Sequence, residues 1–160
     1  MTTLTIREFQ PGDAPALWAI FHAAVHGLCA PDYSEAQRLA WAPPVPESAD
    51  AEAWATRVGH NRPYVAEIAG IGPVGYADLQ ASGEIDHFFV HPAHARHGVG
   101  QALMCHIVNA ARQRGIDALF ASVSLTAEPF FFASGFKLVQ RQEVVVRGVA
   151  MPNARMARQV

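Results

Sequence analysis

The sequence predicts an α+β (mixed α/β) domain with a mostly antiparallel sheet. Three observations point there. Residues 64–68, 74–80 and 84–90 are rich in β-branched and aromatic residues. Gly70-Ile71-Gly72-Pro73 and Ala81-Ser82-Gly83 join them as a three-strand meander. The apolar period then lengthens, so that Leu103, Met104, Ile107, Val108 and Ala111 fall on one helical face. A buried strand at 118–124 follows that helix, which makes a strand–helix–strand crossover.

The chain opens with a strand at 4–9, ended by Pro11-Gly12. Asp13 reads as a helix N-cap with Pro15 in the first turn. Leu17, Trp18, Ile20, Phe21, Ala24 and Val25 give a helix over 14–25 a broad apolar face, and Gly27 breaks it. Ser34, with Gln37 three places on, is a capping box for a helix over 35–40. Proline-rich 41–46 is a loop, and a third helix runs over 51–58 to Gly59. Pro92 ends the 84–90 strand, because proline donates no ladder hydrogen bond. The next helix runs from Gln101, with Arg112 and Arg114 in its last turn and Gly115 as its stop. Thr126 caps a short helix over 127–133. Residues 136–146 are a long strand, Arg147-Gly148 turns it, and 149–158 is a last strand interrupted by Pro152.

One hundred and sixty residues, 51% of them apolar, suit a single domain over 1–160 with one core and no structural metal. The net charge of −2 gives no basic excess for nucleic acid. No apolar run is long enough to span a membrane, and the first residues lack a signal-peptide apolar region. Cys29 and Cys105 make neither a disulfide framework nor a zinc pattern, so a cytoplasmic setting is expected. His22 with His26, and His91, His94 and His97, have spacings that could hold a metal, but neither set has a further ligand, and no metal is expected.

Gly98 and Gly100 sit where a loop turns into a helix. The first turn of a helix has N–H groups without partners and a positive dipole end. Glycines let a phosphate approach those amides, and Arg96 and His97 stand beside them. Val90-x-Pro92, then Gly98-x-Gly100 opening a helix, resembles the acetyl-CoA-binding motif of the GNAT N-acyltransferases. Ala95 stands where that family usually has Gln or Arg, with Arg96 one place displaced. The stretch Ala127-x-x-Phe130-Phe131-x-x-x-Gly135-Phe136 is similar to a second family motif, and the order of elements follows the family's layout. Residues 31–34 and 40–43 are similar to a YafP-like bacterial group within it.

The resemblance implies a GNAT-like domain whose sheet contains a splayed pair of parallel strands flanked by helices. It implies acetyl-CoA as cosubstrate and an amine acceptor, on a small molecule or a protein. By that resemblance Phe88, Phe89 and Val90 pair with pantetheine through their backbone. Ala95, Arg96, His97, Gly98, Val99, Gly100 and Gln101 hold the pyrophosphate. Glu84 falls at a catalytic strand-glutamate position and is the first choice of general base, with Asp86 and His87 the candidates after it. Alternation places it on one face with Asp86 and Phe88, with His87 on the other; two acids so placed would raise each other's pKa. Phe131 replaces the usual proton-donating tyrosine, which leaves Ser124, Ser122, water, Tyr33 or Tyr76 to protonate the thiolate. His26, Tyr33 and Trp41 are expected to wall the acceptor pocket, which suits a small or partly apolar amine. The expected reaction is direct transfer in a ternary complex. The alternative is a catalytically weak CoA- or acyl-CoA-binding module. The two final strands offer an edge on which a homodimer could form.

Overall fold

The computed structural model describes residues 3–44 and 48–160. The end of the expected proline-rich loop, residues 45–47, lies outside the described residues, as do Met1 and Thr2.

The chain forms β1 (Leu4–Glu8), α1 (Ala14–Leu28), α2 (Glu35–Trp41), α3 (Ser48–Asn61), β2 (Tyr64–Ile68) and β3 (Gly72–Ala77). It continues with β4 (Glu84–Ile85), β5 (Phe88–Val90), α4 (Val99–Gln113), β6 (Ala118–Ser124), α5 (Glu128–Ala133), β7 (Lys137–Val146) and β8 (Val149–Gln159). Two four-stranded sheets result, in the orders β1-β2-β3-β5 and β4-β6-β8-β7. Every pairing is antiparallel except β4 with β6, where Glu84 faces Phe120 and Ile85 faces Ala121.

The strand expected over 84–90 is therefore divided between the two sheets. Its first half pairs with β6 and its second half with β3. The cause is Asp78, just past β3. Its two carboxylate oxygens accept the consecutive backbone N–H groups of Asp86 (2.8 Å) and His87 (2.9 Å). Those amides are taken out of any ladder, and the sheet opens at that point.

The first sheet lies between two helical layers. Alternation along β2 sends Tyr64 and Ala66 into a core with Leu103 and Ile107 of α4, and the register shift of β3 against Ala66/Glu67 turns Val74 to the same side although Tyr76 is only two residues on. Val65 and Tyr76 face the other way, toward Leu17 and Val25 of α1. Gly75 permits the close approach of α4, since a Cβ there would lie 3.1 Å from both the Phe89 carbonyl oxygen and Val99 Cγ1.

Several boundaries differ from the sequence expectation. Gly27 does not stop α1; it lies against Pro92, where a Cβ would come within 2.9 Å of Cγ. Gly59 likewise stays inside α3. Helix α4 starts at Val99, not Gln101, with Gly98 as its N-cap. Thr126 does not cap α5, because its hydroxyl donates to Asp32 (2.8 Å). Pro152 does not interrupt β8; it sits opposite Glu143, and its carbonyl accepts the Tyr33 hydroxyl (2.6 Å).

Candidate active site

The opening between β5 and β6 has a cavity on either side. The first, of about 690 Å³, runs along Phe88, Phe89 and Val90 to the loop before α4, and is closed below by Phe130 and Phe131. Gly98 holds the left-handed conformation (φ +85°) that glycine adopts without strain, and Arg96 is also left-handed (φ +61°). The first helical bond runs from the Ala102 N–H to the Gly98 carbonyl (3.0 Å). The amides of Val99, Gly100 and Gln101 thus have no acceptor within the helix, which suits an anion. A Cβ on Gly100 would lie 3.3 Å from the Phe130 ring.

Of the loop residues expected to hold pyrophosphate, Ala95, Arg96, Gly98, Gly100 and Gln101 border this cavity. His97 does not, and the Val99 side chain is buried in the core, so only its amide is on offer. Phe131 is buried between Phe88, Phe130 and Phe136, with ring centroids 4.9–5.7 Å away, and supplies an apolar floor. Cys29 also borders the cavity, and burial pushes its thiol pKa up, away from thiolate reactivity.

The second cavity, of about 330 Å³, lies on the other side of β5. Trp18, Phe21, Tyr33, Trp41, Trp54 and Phe89 supply its aromatic wall. These rings pack on one another edge to face, as with Trp18 on Trp54 (5.3 Å) and Phe21 on Phe89 (5.0 Å). Val144, Val146 and Met151 face them. Trp41, Phe89 and Ser124 border both cavities, so the two spaces meet there.

Three expected catalytic groups occupy different places. Glu84 borders neither cavity. Both of its oxygens accept from the Arg155 guanidinium at 2.6 Å. Glu84 pairs with Phe120, and Arg155 also reaches the Ser122 hydroxyl (3.4 Å), so Glu84 is on the face of β6 that carries Ser122, held away from the cavity that Ser122 and Asp86 border. Asp86 borders the second cavity and accepts from Arg57 (2.9 Å) and Asn61 (2.8 Å). Burial pushes its carboxyl up, but His87, Asn61 and Arg57 together outweigh that and hold it below the usual range. Ser124 is at the junction. Its oxygen accepts the Ala127 N–H (3.1 Å), which leaves its own O–H free to donate.

His87 lies beside Asp86 in the same cavity, not on the opposite face, since the break at Asp86–His87 suspends the alternation. The buried Tyr76 hydroxyl is 3.1 Å from its Nδ1. With that hydroxyl donating, the ring proton sits on Nε2, 3.6 Å from the Asp86 carboxylate. Burial lowers the His87 pKa to about 4, so the ring is neutral at neutral pH. Asp78 behaves oppositely: burial pushes its carboxyl up to about 6, against the hydrogen bonds from Asp86, Gln80 and His87 that pull it down.

Tyr33 and Trp41 border the second cavity, whereas His26 borders neither. The His26 ring packs on His22 (4.4 Å), and its Nε2–H donates to the Ala42 carbonyl (2.7 Å). Tyr33 and Tyr76 are not free proton donors. Tyr33 donates to Pro152 and accepts from Leu125 (3.0 Å), and Tyr76 is occupied by His87. Ser122, which borders the second cavity but not the junction, accepts from Gln142 (3.2 Å) and Arg155 (3.4 Å) and so also keeps its O–H free to donate. Among the described residues, no group of three or more His, Cys, Asp or Glu is arranged to hold a metal.

Comparison with known proteins decides the family. The model of the acetyltransferase (GNAT) domain matches residues 29–157. The chain belongs to the GNAT acetyltransferase family. It is 35% identical, over 96% of its length and 94% of the relative's, to the uncharacterized N-acetyltransferase YafP of Escherichia coli (strain K12), which places it in a YafP-like group. The structure of a GCN5-related N-acetyltransferase from Rhodopseudomonas palustris superposes with a TM-score of 0.91 at 33% identity, covering 99% of this chain and 96% of that one. The PaiA N-acetyltransferase of Thermoplasma acidophilum, solved in complex with coenzyme A, shares the fold at 16% identity (TM-score 0.73, 99% of each chain). This GNAT protein is thus an N-acetyltransferase, and the CoA-binding-module alternative is not favoured. Within the GNAT fold the β4–β6 pair is the expected parallel pair, and it splays at Asp86–His87. Among the described residues, no helix is long and apolar enough to cross a membrane.

Proposed function

We propose that the protein transfers an acetyl group from acetyl-CoA directly to a small-molecule amine, with both substrates bound at once. The observation that carries this reading is the common border of the two cavities at Trp41, Phe89 and Ser124. Two substrates entering from opposite sides of β5 would meet there without either having to leave first.

The larger cavity takes acetyl-CoA. Its pyrophosphate would accept from the free amides of Val99, Gly100 and Gln101, with Arg96 adding charge. Pantetheine would run along the backbone of β5. The smaller cavity takes the amine. The Ser124 hydroxyl is the donor placed to protonate the departing thiolate. Coenzyme A is a fair leaving group, with a thiol pKa of about 8.5, so one serine or a water is sufficient. The amine's proton leaves through water past ionised Asp86, which takes the place first expected for Glu84. Cys29 takes no acyl group, because burial keeps it a thiol. The setting is a reducing cytoplasm, and the acting unit is the single domain.

Initial-rate kinetics test this. Thiol release is followed while acetyl-CoA and amine are varied together. Intersecting double-reciprocal lines are expected, and parallel lines would mean a covalent acyl-enzyme instead. Calorimetry provides the companion test. Micromolar acetyl-CoA binding is expected to disappear in a Gly98→Glu, Gly100→Glu double variant, and binding that persists there would move the pyrophosphate off this loop.

A further inference from the structure

The acceptor cavity carries a charge pattern that narrows its ligand, given the transfer reading above. Three charged side chains border it: Asp86, Arg57 and Arg147. Asp86 and Arg57 cancel each other in a two-pronged pair, with Nε at 3.2 Å and Nη2 at 2.9 Å. Arg147 has no such partner among the described residues. Its Nη1 donates to the backbone carbonyl of Ala40 (2.7 Å), and an uncharged carbonyl cannot neutralise a guanidinium. His87 adds nothing, because its burial keeps it neutral. The cavity therefore has one positive charge in excess, set in an aromatic wall.

The position of that charge matters. Arg147 is at the tip of the β7–β8 hairpin, in the left-handed conformation (φ +46°), and its contact with Ala40 fixes it beside Trp41. Trp41 is one of the three residues at which the cavities meet. An anion held by Arg147 would thus lie close to the place where the amine is acetylated. A carboxylate on the carbon that carries the amine is the simplest group that would put an anion there. The rest of the ligand would then lie against Trp18, Phe21 and Trp54. Polyamines and other polycations are disfavoured by the same excess charge, and a cavity of about 330 Å³ suits a ligand of a few ring atoms better than a protein segment.

We infer that the acceptor is a small α-amino acid with a flat or bulky apolar side chain, its carboxylate bound by Arg147 and its side chain by the aromatic wall. Arg147 is then a specificity-determining residue.

The test is binding, so it does not depend on turnover. The protein is saturated with coenzyme A and titrated by calorimetry with L-phenylalanine, L-phenylalaninamide and spermidine. Phenylalanine is expected to bind at least tenfold more tightly than the amide, and spermidine more weakly than either. In Arg147→Gln, an exposed turn substitution, phenylalanine should fall to the level of the amide, while the amide and coenzyme A bind as before. Amide or spermidine binding as tight as phenylalanine in the wild type overturns the inference. So does an Arg147→Gln variant that loses amide and acid affinity equally, or absence of binding by all three. Thiol release with other amines in a protein that fails here would leave the transferase reading standing and remove this one.

Discussion

Replacing Asp78 with Asn separates what this residue costs the fold from what it does for the site. Asp78 is 1% exposed, and burial moves its carboxyl from 3.8 to about 6. Between those values the native state holds a proton that the unfolded chain has lost, so stability falls as pH rises through the window. The gap corresponds to about 3 kcal/mol at neutral pH. Asn does not titrate, so it removes that cost. It also introduces one: a single amide oxygen can serve only one of the two N–H groups of Asp86 and His87, and the NH₂ faces the other. An unmet buried N–H costs about 1–3 kcal/mol. Near pH 7 the two effects oppose, and Asp78→Asn should be within about 2 kcal/mol of wild type. Near pH 4 only the mismatch remains. The stability difference should therefore shift by about 3 kcal/mol in the variant's favour between pH 4 and pH 7. Asp13 and Asp86, both held below the usual range, contribute stability that is lost only as pH falls below 3.8, outside this window. Urea unfolding at several pH values measures the difference directly. Activity should move the other way. With one of its two pins gone, the bend that separates β4 from β5 loosens, and kcat/KM should drop at least tenfold, since displacements near 1 Å can cost about a hundredfold. A stability difference that stays flat from pH 4 to pH 7 would refute the account of Asp78 as an ionised, buried pin.

Three further substitutions address neighbouring parts of the site. Glu84→Gln should change kcat less than twofold and lower stability by about 1 kcal/mol through its pair with Arg155; a hundredfold loss of kcat with unchanged folding would restore Glu84 as the base. Ser124→Ala should lower kcat about tenfold with little change in KM for acetyl-CoA, as read by thiol release, because general-acid contributions of 10²–10⁴ shrink for a good leaving group; an unchanged kcat would give the proton transfer to water. Gly83→Ala should destabilise by at least about 3 kcal/mol, because Gly83 has φ +92° and an added Cβ would lie 2.1 Å from the Ala118 carbonyl oxygen; a loss below about 1 kcal/mol in urea unfolding would show that the turn into β4 relaxes freely.

What could be read from the sequence follows from how far each cause acts along the chain. Helix faces, capping by Ser34 and Gln37, and the glycine loop before α4 are local, and periodicity or spacing exposes them. The division of residues 84–90 has no local sign, since the stretch reads as one strand. Its cause is the side chain of Asp78, which the alternating pattern of 74–80 absorbs into a strand that in fact ends at Ala77. Gly27 and Gly59 read as stops for the same reason. The absent side chain of Gly27 makes room for Pro92, far off in sequence, and Gly59 is carried inside α3, where a Cβ would make only ordinary contact with Phe9. The smaller, aromatic cavity was the least legible part. Trp18 and Phe21 fall on a helix face that the sequence assigns to the core, and Trp54 and Arg57 belong to α3. Arg147 reads only as a turn residue, and no spacing links these five. They share a cavity because the sheet opens at Asp86–His87, and the larger cavity lies on the far side of β5. In the proposed reading, one buried carboxylate thus holds the bend between both substrate cavities. That is why a substitution at Asp78, which borders neither cavity, should disturb transfer, while Glu84, nearer to the family's expectation, should be replaceable.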